Sequence, residues 1–167
     1  MLGGAASGKS SYGEQIVKQS GLQRVSLATA EALDDETRKK VAAHVEARGD
    51  GWLTVEEPLD IAPVLAARTA DEVVLIDCLT FWLNNLMFAE RDPETEAETL
   101  IAAVQACACP VVMVSNEVGG GIVPENALAR RFRNAQGRLN QRIAAEADLV
   151  VTVMAGLPLA LKGALPA

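Results

Sequence analysis

The fold is indicated most directly by Gly3-Gly4-Ala5-Ala6-Ser7-Gly8-Lys9-Ser10, which matches the pattern G-x-x-x-x-G-K-S/T at every fixed position. The glycines let the backbone curl so that successive N–H groups point at phosphate oxygens. Lys9 then lies against the β- and γ-phosphates of a nucleotide, and the Ser10 hydroxyl is a ligand of Mg²⁺. The helix predicted at 9–19 points its positive end at the same anion. A chance glycine-rich turn is the alternative, but the motif is complete and leads into a helical pattern.

The strand that should precede this loop is short. A phosphate-binding loop normally follows a buried strand, and a typical strand has about five residues. Only Met1 and Leu2 stand before Gly3. Either the sequence begins late, or the chain folds without its first strand and leaves a gap in the sheet, which would weaken nucleotide binding. The expectation is therefore a truncated first strand.

Short apolar runs alternate with helical stretches along the rest of the chain. The runs at 25–28, 73–76, 111–114 and 149–153 are typical of parallel strands covered on both faces, and 52–56 alternates as a shorter strand does. Helices are predicted at 9–19, 35–48, 94–106 and 125–146, the third with Asp92 as N-cap and Pro93 in its first turn. The pattern predicts one domain over 1–167: an α/β, P-loop-type three-layer fold with a mostly parallel sheet.

Composition limits the possible partners and the cellular setting. The 167 residues are 50% hydrophobic, which is enough for a packed core. The net charge of −7 repels polyphosphate backbones, so nucleic acid and anionic membranes are not expected as partners. No apolar run reaches the roughly 18–20 residues that span a bilayer, and no leader opens the chain. Three cysteines without a framework spacing favour a reducing cytoplasm.

An acidic residue ends the strand predicted at 73–76. Asp77 follows Ile76 directly, which places a carboxylate at the carboxyl edge of the sheet, near the metal held by the Ser10 hydroxyl. Alternatively, Asp77 caps the next turn. The adjacent Cys78 is interpreted as a small buried apolar residue rather than a nucleophile.

His44 is the only histidine of the chain. A lone histidine is more often structural or solvated than functional. On the predicted helix, however, Arg48 lies one turn away and Lys40 one turn in the other direction, so a phosphate could be held against the imidazole. A neutral imidazole nitrogen is also a competent nucleophile toward phosphorus near pH 7.

From Gly3 to about Lys162 the chain resembles the bifunctional adenosylcobinamide kinase / adenosylcobinamide-phosphate guanylyltransferases of cobalamin biosynthesis. The resemblance rests on eight motifs in this order: 3–10, Ala28-Thr29-Ala30, His44-x-x-x-Arg48, Trp52-x-Thr54-x-Glu56, Asp77-Cys78-Leu79-Thr80 with Trp82-Leu83-x-Asn85-Leu86, Ser115-Asn116-Glu117-Val118-Gly119, Gly121-Ile122-Val123-Pro124-Glu125, and Gly137-Arg138-Leu139-Asn140-Gln141. A generic phosphate-binding loop would not bring this set in this order.

The resemblance implies two reactions. One moves the γ-phosphoryl group of ATP or GTP onto the hydroxyl of adenosylcobinamide; the other moves GMP from GTP onto that phosphate and gives adenosylcobinamide-GDP. The family's guanylylated histidine matches His44. By the same resemblance, Mg²⁺-bound nucleotide is contacted by 3–10, Ala28, Thr29, Ala30, Val45, Glu46, Ala47, Arg48, Glu56 and Asp77. Members of the family are typically homotrimers.

Two other functions stay open, and so does the role of one basic segment. A single-activity P-loop kinase for another small metabolite would explain 3–10 and Asp77 but not the block from His44 to Glu56; an inactive GTP-binding subunit is the third possibility.

Five arginines lie close together in the chain: Arg130, Arg131, Arg133, Arg138 and Arg142. They could hold the phosphate of the corrinoid, or they could form a solvated helix face paired to Glu125 and Glu146. Residues 115–117 are expected to border the site, and 119–121 to form a mobile loop.

Overall fold

The computed structural model describes residues 1–31 and 48–166. Its strands are β1 (Leu2–Gly3), β2 (Gln23–Ala28), β3 (Trp52–Glu56), β4 (Glu72–Asp77), β5 (Val111–Asn116), β6 (Val150–Met154) and β7 (Leu157–Lys162). Its helices are α1 (Lys9–Gln19), α2 (Ile61–Ala66), α3 (Leu79–Phe88), α4 (Pro93–Ala106) and α5 (Ala127–Glu146). Among the described residues, no helix is long and apolar enough to cross a membrane.

The strands form one sheet in the order β3-β2-β4-β5-β1-β6-β7. Every neighbouring pair is parallel except β6 and β7, which are antiparallel. The apolar run Val73–Ile76 is buried along its whole length, as expected of a strand with helices on both faces. The predicted mostly parallel sheet is confirmed.

Helices cover both faces of this sheet. Helix α1 packs closely on one face, where a Cβ at Gly13 would lie 3.4 Å from Leu75 and 3.5 Å from Val114. Helices α2 to α5 bury their apolar residues, including Leu65, Trp82 and Leu100, against the other face. The three predicted layers are therefore confirmed, and both loops that follow β1 and β4 open at the same carboxyl edge.

Strand β1 has only two residues, as short as the sequence predicted. Its two residues pair with Ser115 and Asn116 of β5 and with Thr152 of β6. Below it, a cavity of about 350 Å³ lies between β5 residues such as Val112 and β6 residues such as Val150. Strand β1 therefore joins β5 to β6 at the carboxyl end of the sheet, where the phosphate-binding loop begins.

The predicted helices at 9–19, 94–106 and 125–146 are confirmed within two residues. Asp92 caps α4 by accepting a hydrogen bond from the Thr95 N–H, and Pro93 is the first residue of that helix. Apart from Arg48, the helix predicted at 35–48 lies outside the described residues. Helices α2 and α3 and strand β7 were not predicted. Helix α2 is short and contains Pro63, α3 is apolar on nearly every side, and β7 contains Pro158, a residue that is unfavourable in strands.

Candidate active site

The loop between β1 and α1 has the conformation that its glycines predict. Gly8 adopts a left-handed conformation, with φ of 95°, immediately before the helix. The Ser7 N–H donates to the Gly4 carbonyl at 3.3 Å and closes the turn. Among the described residues, no side chain caps the N-terminus of α1, and its first turn carries no acidic residue. The helix therefore presents unpaired N–H groups and a positive dipole to an anion.

Lys9 spans this loop. The side chain is buried, and its ammonium donates to the Gly4 carbonyl at 3.1 Å. The loop is also supported from the β6–β7 turn, because the Gly156 N–H donates to the Ser7 carbonyl at 2.9 Å. A Cβ at Gly8 would lie 3.1 Å from the Gly156 Cα, so the close approach needs glycine at position 8. Sequence reasoning did not find this support, since the turn is far from the motif in the chain.

Three candidate nucleotide contacts lie in one row across the sheet. Ala28 of β2 is in register with Glu56 of β3 on one side and with Asp77 of β4 on the other. All three end their strands. Side chains two residues apart on a strand point to the same face of the sheet, and so do paired residues of neighbouring strands. Leu75, which pairs with Ser26 and precedes Asp77 by two residues, lies against α1. The row therefore belongs to the face that α1 covers. The structure therefore brings Glu56, Ala28 and Asp77 to the edge at which α1 begins.

The oxygen groups at this edge suit Mg²⁺. Across residues 1–31 and 48–166 there is no group of three His, Cys, Asp or Glu side chains that could hold a metal alone. Mg²⁺ is typically bound by one or two protein oxygens together with water and the phosphates of a substrate. A hydroxyl at Ser10 and a carboxylate at Asp77 are donors of this kind, so the residues present fit the metal.

Thr29 supports Asp77 from behind. Its side chain is fully buried, and its Oγ1 donates to the Cys78 carbonyl at 2.7 Å and accepts from the Cys78 N–H at 2.9 Å. Asn85 of α3 donates from Nδ2 to the carbonyl of Thr29 at 2.8 Å. The hydroxyl of Thr29 thus positions the end of β4, a role that sequence reasoning did not assign.

Arg48 lies on the same face of the sheet as the row of three residues. Its guanidinium donates to Ser26 Oγ and, at 3.0 Å, to Thr54 Oγ1, and it stacks 5.0 Å from the centre of the Trp52 ring. Ser26 and Thr54 each precede the row by two residues, or roughly 7 Å along a strand.

His44, Val45, Glu46 and Ala47 lie outside the described residues. Of the pattern His44-x-x-x-Arg48, the structure describes Arg48 alone.

The arginine-rich segment of α5 divides into two groups. Arg138 and Arg142 form ion pairs with Glu94 of α4, at 2.7 and 3.2 Å, rather than with Glu125 or Glu146. Arg133 donates to the Gly119 carbonyl, and Arg130 donates to the carbonyls of Pro124 and Glu125. Most of the cluster therefore ties α5 to α4 and to the loop after β5.

A buried polar network joins α5 to the end of β5. Ser115 Oγ donates to Asn140 Oδ1 at 2.6 Å, and Gln136 Nε2 donates to both oxygens, at 2.9 and 3.1 Å. Asn140 also donates from Nδ2 to the carbonyl of Asn116 at 3.0 Å. Sequence reasoning expected 115–117 to border the site but did not find the glutamine and asparagine that fix this strand end.

Cys78 is unsuited to act as a nucleophile. It is 6% exposed, and burial together with the neighbouring Asp77 charge raises the pKa of its thiol. A thiol with a raised pKa supplies little thiolate at neutral pH. The prediction of a small buried residue at this position is confirmed.

A glycine-rich loop at a helix N-terminus, with an acidic residue ending a neighbouring parallel strand, defines a nucleotide-binding protein of the P-loop class. The model of one family, described as cobinamide kinase / cobinamide phosphate guanyltransferase, matches residues 1–161. The chain belongs to this family of enzymes, which confirms the resemblance seen in the sequence.

Curated relatives agree with the family. The chain is 41% identical to the bifunctional adenosylcobalamin biosynthesis protein CobU of Salmonella typhimurium, over 97% of this chain and 98% of the relative. It is 41% identical to the bifunctional adenosylcobalamin biosynthesis protein CobP of Pseudomonas aeruginosa, over 98% and 96%. The CobU protein of Escherichia coli is 39% identical, over 97% and 98%.

Proposed function

We propose that this chain carries out both reactions of its family. In the first, it transfers the γ-phosphoryl group of ATP or GTP to the hydroxyl of adenosylcobinamide. In the second, it transfers GMP from GTP to adenosylcobinamide phosphate through a guanylylated His44, which gives adenosylcobinamide-GDP. The observation that carries the proposal is the loop at 3–10, which places buried Lys9 and the uncapped start of α1 at the edge where Asp77 ends its strand.

The guanylyl transfer is divided into two displacements. A neutral imidazole nitrogen of His44 attacks the α-phosphorus of GTP, and pyrophosphate leaves. The phosphate of adenosylcobinamide phosphate then attacks the same phosphorus and releases His44. The first displacement therefore avoids bringing two anions together. Arg48, four residues after His44 in the chain, donates hydrogen bonds to Ser26 and Thr54.

The leaving phosphates need positive charge and fixed donors. Lys9 and the N–H groups at the start of α1 supply both at the loop. Ser10 and Asp77 would hold Mg²⁺, which neutralises charge on the phosphates when it is bound. In the phosphoryl transfer the protein has little covalent chemistry to do, so the loop acts mainly by positioning.

Labelled nucleotides test this proposal. The protein is incubated with GTP that carries its label at the α-phosphate, and the precipitated protein is counted. We expect a covalent label that is lost in acid and stable in base, as a phosphoramidate is, and that is absent from the His44→Ala variant. The same mixture with adenosylcobinamide phosphate should yield labelled adenosylcobinamide-GDP.

Two other results would replace the proposal. Transfer of label to a small acceptor from the γ-position only would indicate a single-activity kinase. Tight GTP binding without any transfer would indicate a nucleotide-binding subunit without activity. A parallel incubation with GTP labelled at the γ-phosphate shows the first result, and equilibrium dialysis with labelled GTP shows the second.

We also propose that the protein works as a homotrimer in the cytoplasm. Three leucines of the edge strand β7 support an assembly, because Leu157, Leu159 and Leu161 are each at least 60% exposed. The three cysteines are free thiols, which fits a reducing compartment. Light scattering on the purified protein would give the mass of three chains if the proposed assembly is correct.

A further inference from the structure

An open cleft of about 1090 Å³ lies between α5 and the β6–β7 pair. The β6–β7 pair contributes Val150, Leu161 and Lys162 to the lining, and α5 contributes three arginines, including Arg133. Among the described residues that line the cleft, Glu117 is the only carboxylate. A cleft of this size and mixed character suits a large acceptor with both apolar and polar groups.

Glu117 joins this cleft to the phosphate-binding loop. Strand β5 lies between β1, which leads into the loop, and β4, which ends at Asp77. Asn116 is in register with Gly3, and the Glu117 N–H donates to the Gly3 carbonyl at 3.0 Å. The chain that leaves β5 therefore passes between the loop and Asp77, and Glu117 is its first residue beyond the strand.

The carboxylate of Glu117 is held at this point. Its Oε1 accepts a hydrogen bond from the Gly119 N–H at 2.5 Å, and the carbonyl of Gly119 accepts one from Arg133. The buried network of Ser115, Gln136 and Asn140 fixes the strand end just before it. The residue itself is exposed on the cleft side, so the carboxylate is positioned and accessible.

We propose that Glu117 is the general base of the phosphoryl transfer, and that the acceptor hydroxyl reaches it along the cleft. The inference rests on the proposed function. The acceptor oxygen forms a bond to the γ-phosphorus while its proton passes to the Glu117 carboxylate. The bond between the γ-phosphorus and the β–γ bridging oxygen breaks, and the nucleoside diphosphate leaves with that electron pair. Glu117 then releases the proton to water.

The Glu117→Gln variant separates proton transfer from a structural role. The amide oxygen of glutamine can still accept the hydrogen bond from Gly119, but the amide cannot take a proton from the acceptor. The matched control is Glu125→Gln, an exposed glutamate in the same loop that does not line the cleft.

The experiment measures the two transfers separately in the full-length protein. Phosphoryl transfer is followed with γ-labelled ATP and adenosylcobinamide, and guanylyl transfer with GTP and previously prepared adenosylcobinamide phosphate. In Glu117→Gln we expect kcat of phosphoryl transfer to fall by roughly 100-fold or more, with KM for adenosylcobinamide nearly unchanged. Guanylyl transfer by Glu117→Gln, and both transfers by the Glu125→Gln control, should stay at the wild-type rate.

Two results would overturn the inference while leaving the proposed function in place. One is phosphoryl transfer by Glu117→Gln at the wild-type rate. The other is an equal loss of both transfers, which would indicate that the residue only holds the loop. Absence of both transfers in the wild type would instead overturn the proposed function, and this inference with it.

Discussion

Thr29 Oγ1 bonds both backbone groups of Cys78, donating to its carbonyl at 2.7 Å and accepting from its N–H at 2.9 Å. This pair fixes the end of β2 to the end of β4, beside the register pair of Ala28 and Asp77. The position of Asp77 at the edge of the sheet therefore depends on a hydroxyl that is completely buried.

Thr29→Val should destabilise the protein by about 1–3 kcal/mol, because valine has the same shape but leaves the buried N–H of Cys78 without its acceptor. The free energy of unfolding in urea measures this effect. Thr29→Ser is the control, since it keeps the hydroxyl and should retain most of the stability. Equal unfolding of Thr29→Val and the wild type would show that the bond contributes nothing.

Asp77→Asn should weaken the binding of α,β-methylene-GTP, an analogue that His44 cannot cleave, by roughly tenfold or more in the presence of Mg²⁺, because one metal-binding carboxylate is lost. Titration calorimetry with and without EDTA measures the effect, and removal of the metal should make the variant and the wild type nearly equal. Asp71→Asn, just before the opposite end of the same strand, is the control. A tenfold loss that persists in EDTA would contradict a role through the metal.

Gly8→Ala should destabilise the loop by about 1–3 kcal/mol, because φ is 95° at this position and the added Cβ would lie 3.1 Å from Gly156. Urea unfolding tests the prediction. Gly4→Ala is the matched control for stability, since a Cβ there meets nothing within 4 Å. If the two variants unfold at the same urea concentration, the close approach to the β6–β7 turn is not a constraint.

Thiol reagents should distinguish the three cysteines. Burial and the neighbouring Asp77 raise the pKa of Cys78, and burial with Cys107 alongside raises the pKa of Cys109 to about 12. At pH 8 in the native protein, a chromogenic disulfide should therefore react with half-buried Cys107 first and with the other two far more slowly. Cys107→Ser should remove the fast phase, and denatured wild type should react at all three. Rapid native labelling in Cys107→Ser would contradict the burial of Cys78 and Cys109.

The sequence predicted the fold and one part of the site because their signals are local. The loop at 3–10 and the apolar strands can be read from consecutive residues, and each strand that ends in a polar residue predicts an edge position. Helices α2 and α3 carry no clear polar period, so periodicity could not find them.

Contacts between distant residues were beyond local reasoning. The support of the loop by Gly156, the bond of Thr29 to Cys78 and the pairing of Arg142 with Glu94 each join residues more than forty positions apart. Nothing in a single sequence states which of five arginines meets a carboxylate and which meets a backbone carbonyl. The role proposed for Glu117 depends on the position of β5 between β1 and β4, which no local pattern in the sequence specifies.

The mass of the intact protein after incubation with GTP tests the central claim most directly. We predict an increase by one GMP group, found after digestion on the peptide that contains His44, lost in acid and absent from His44→Asn. An adduct on any other residue would contradict the account. So would an unmodified His44 in a protein that still makes adenosylcobinamide-GDP.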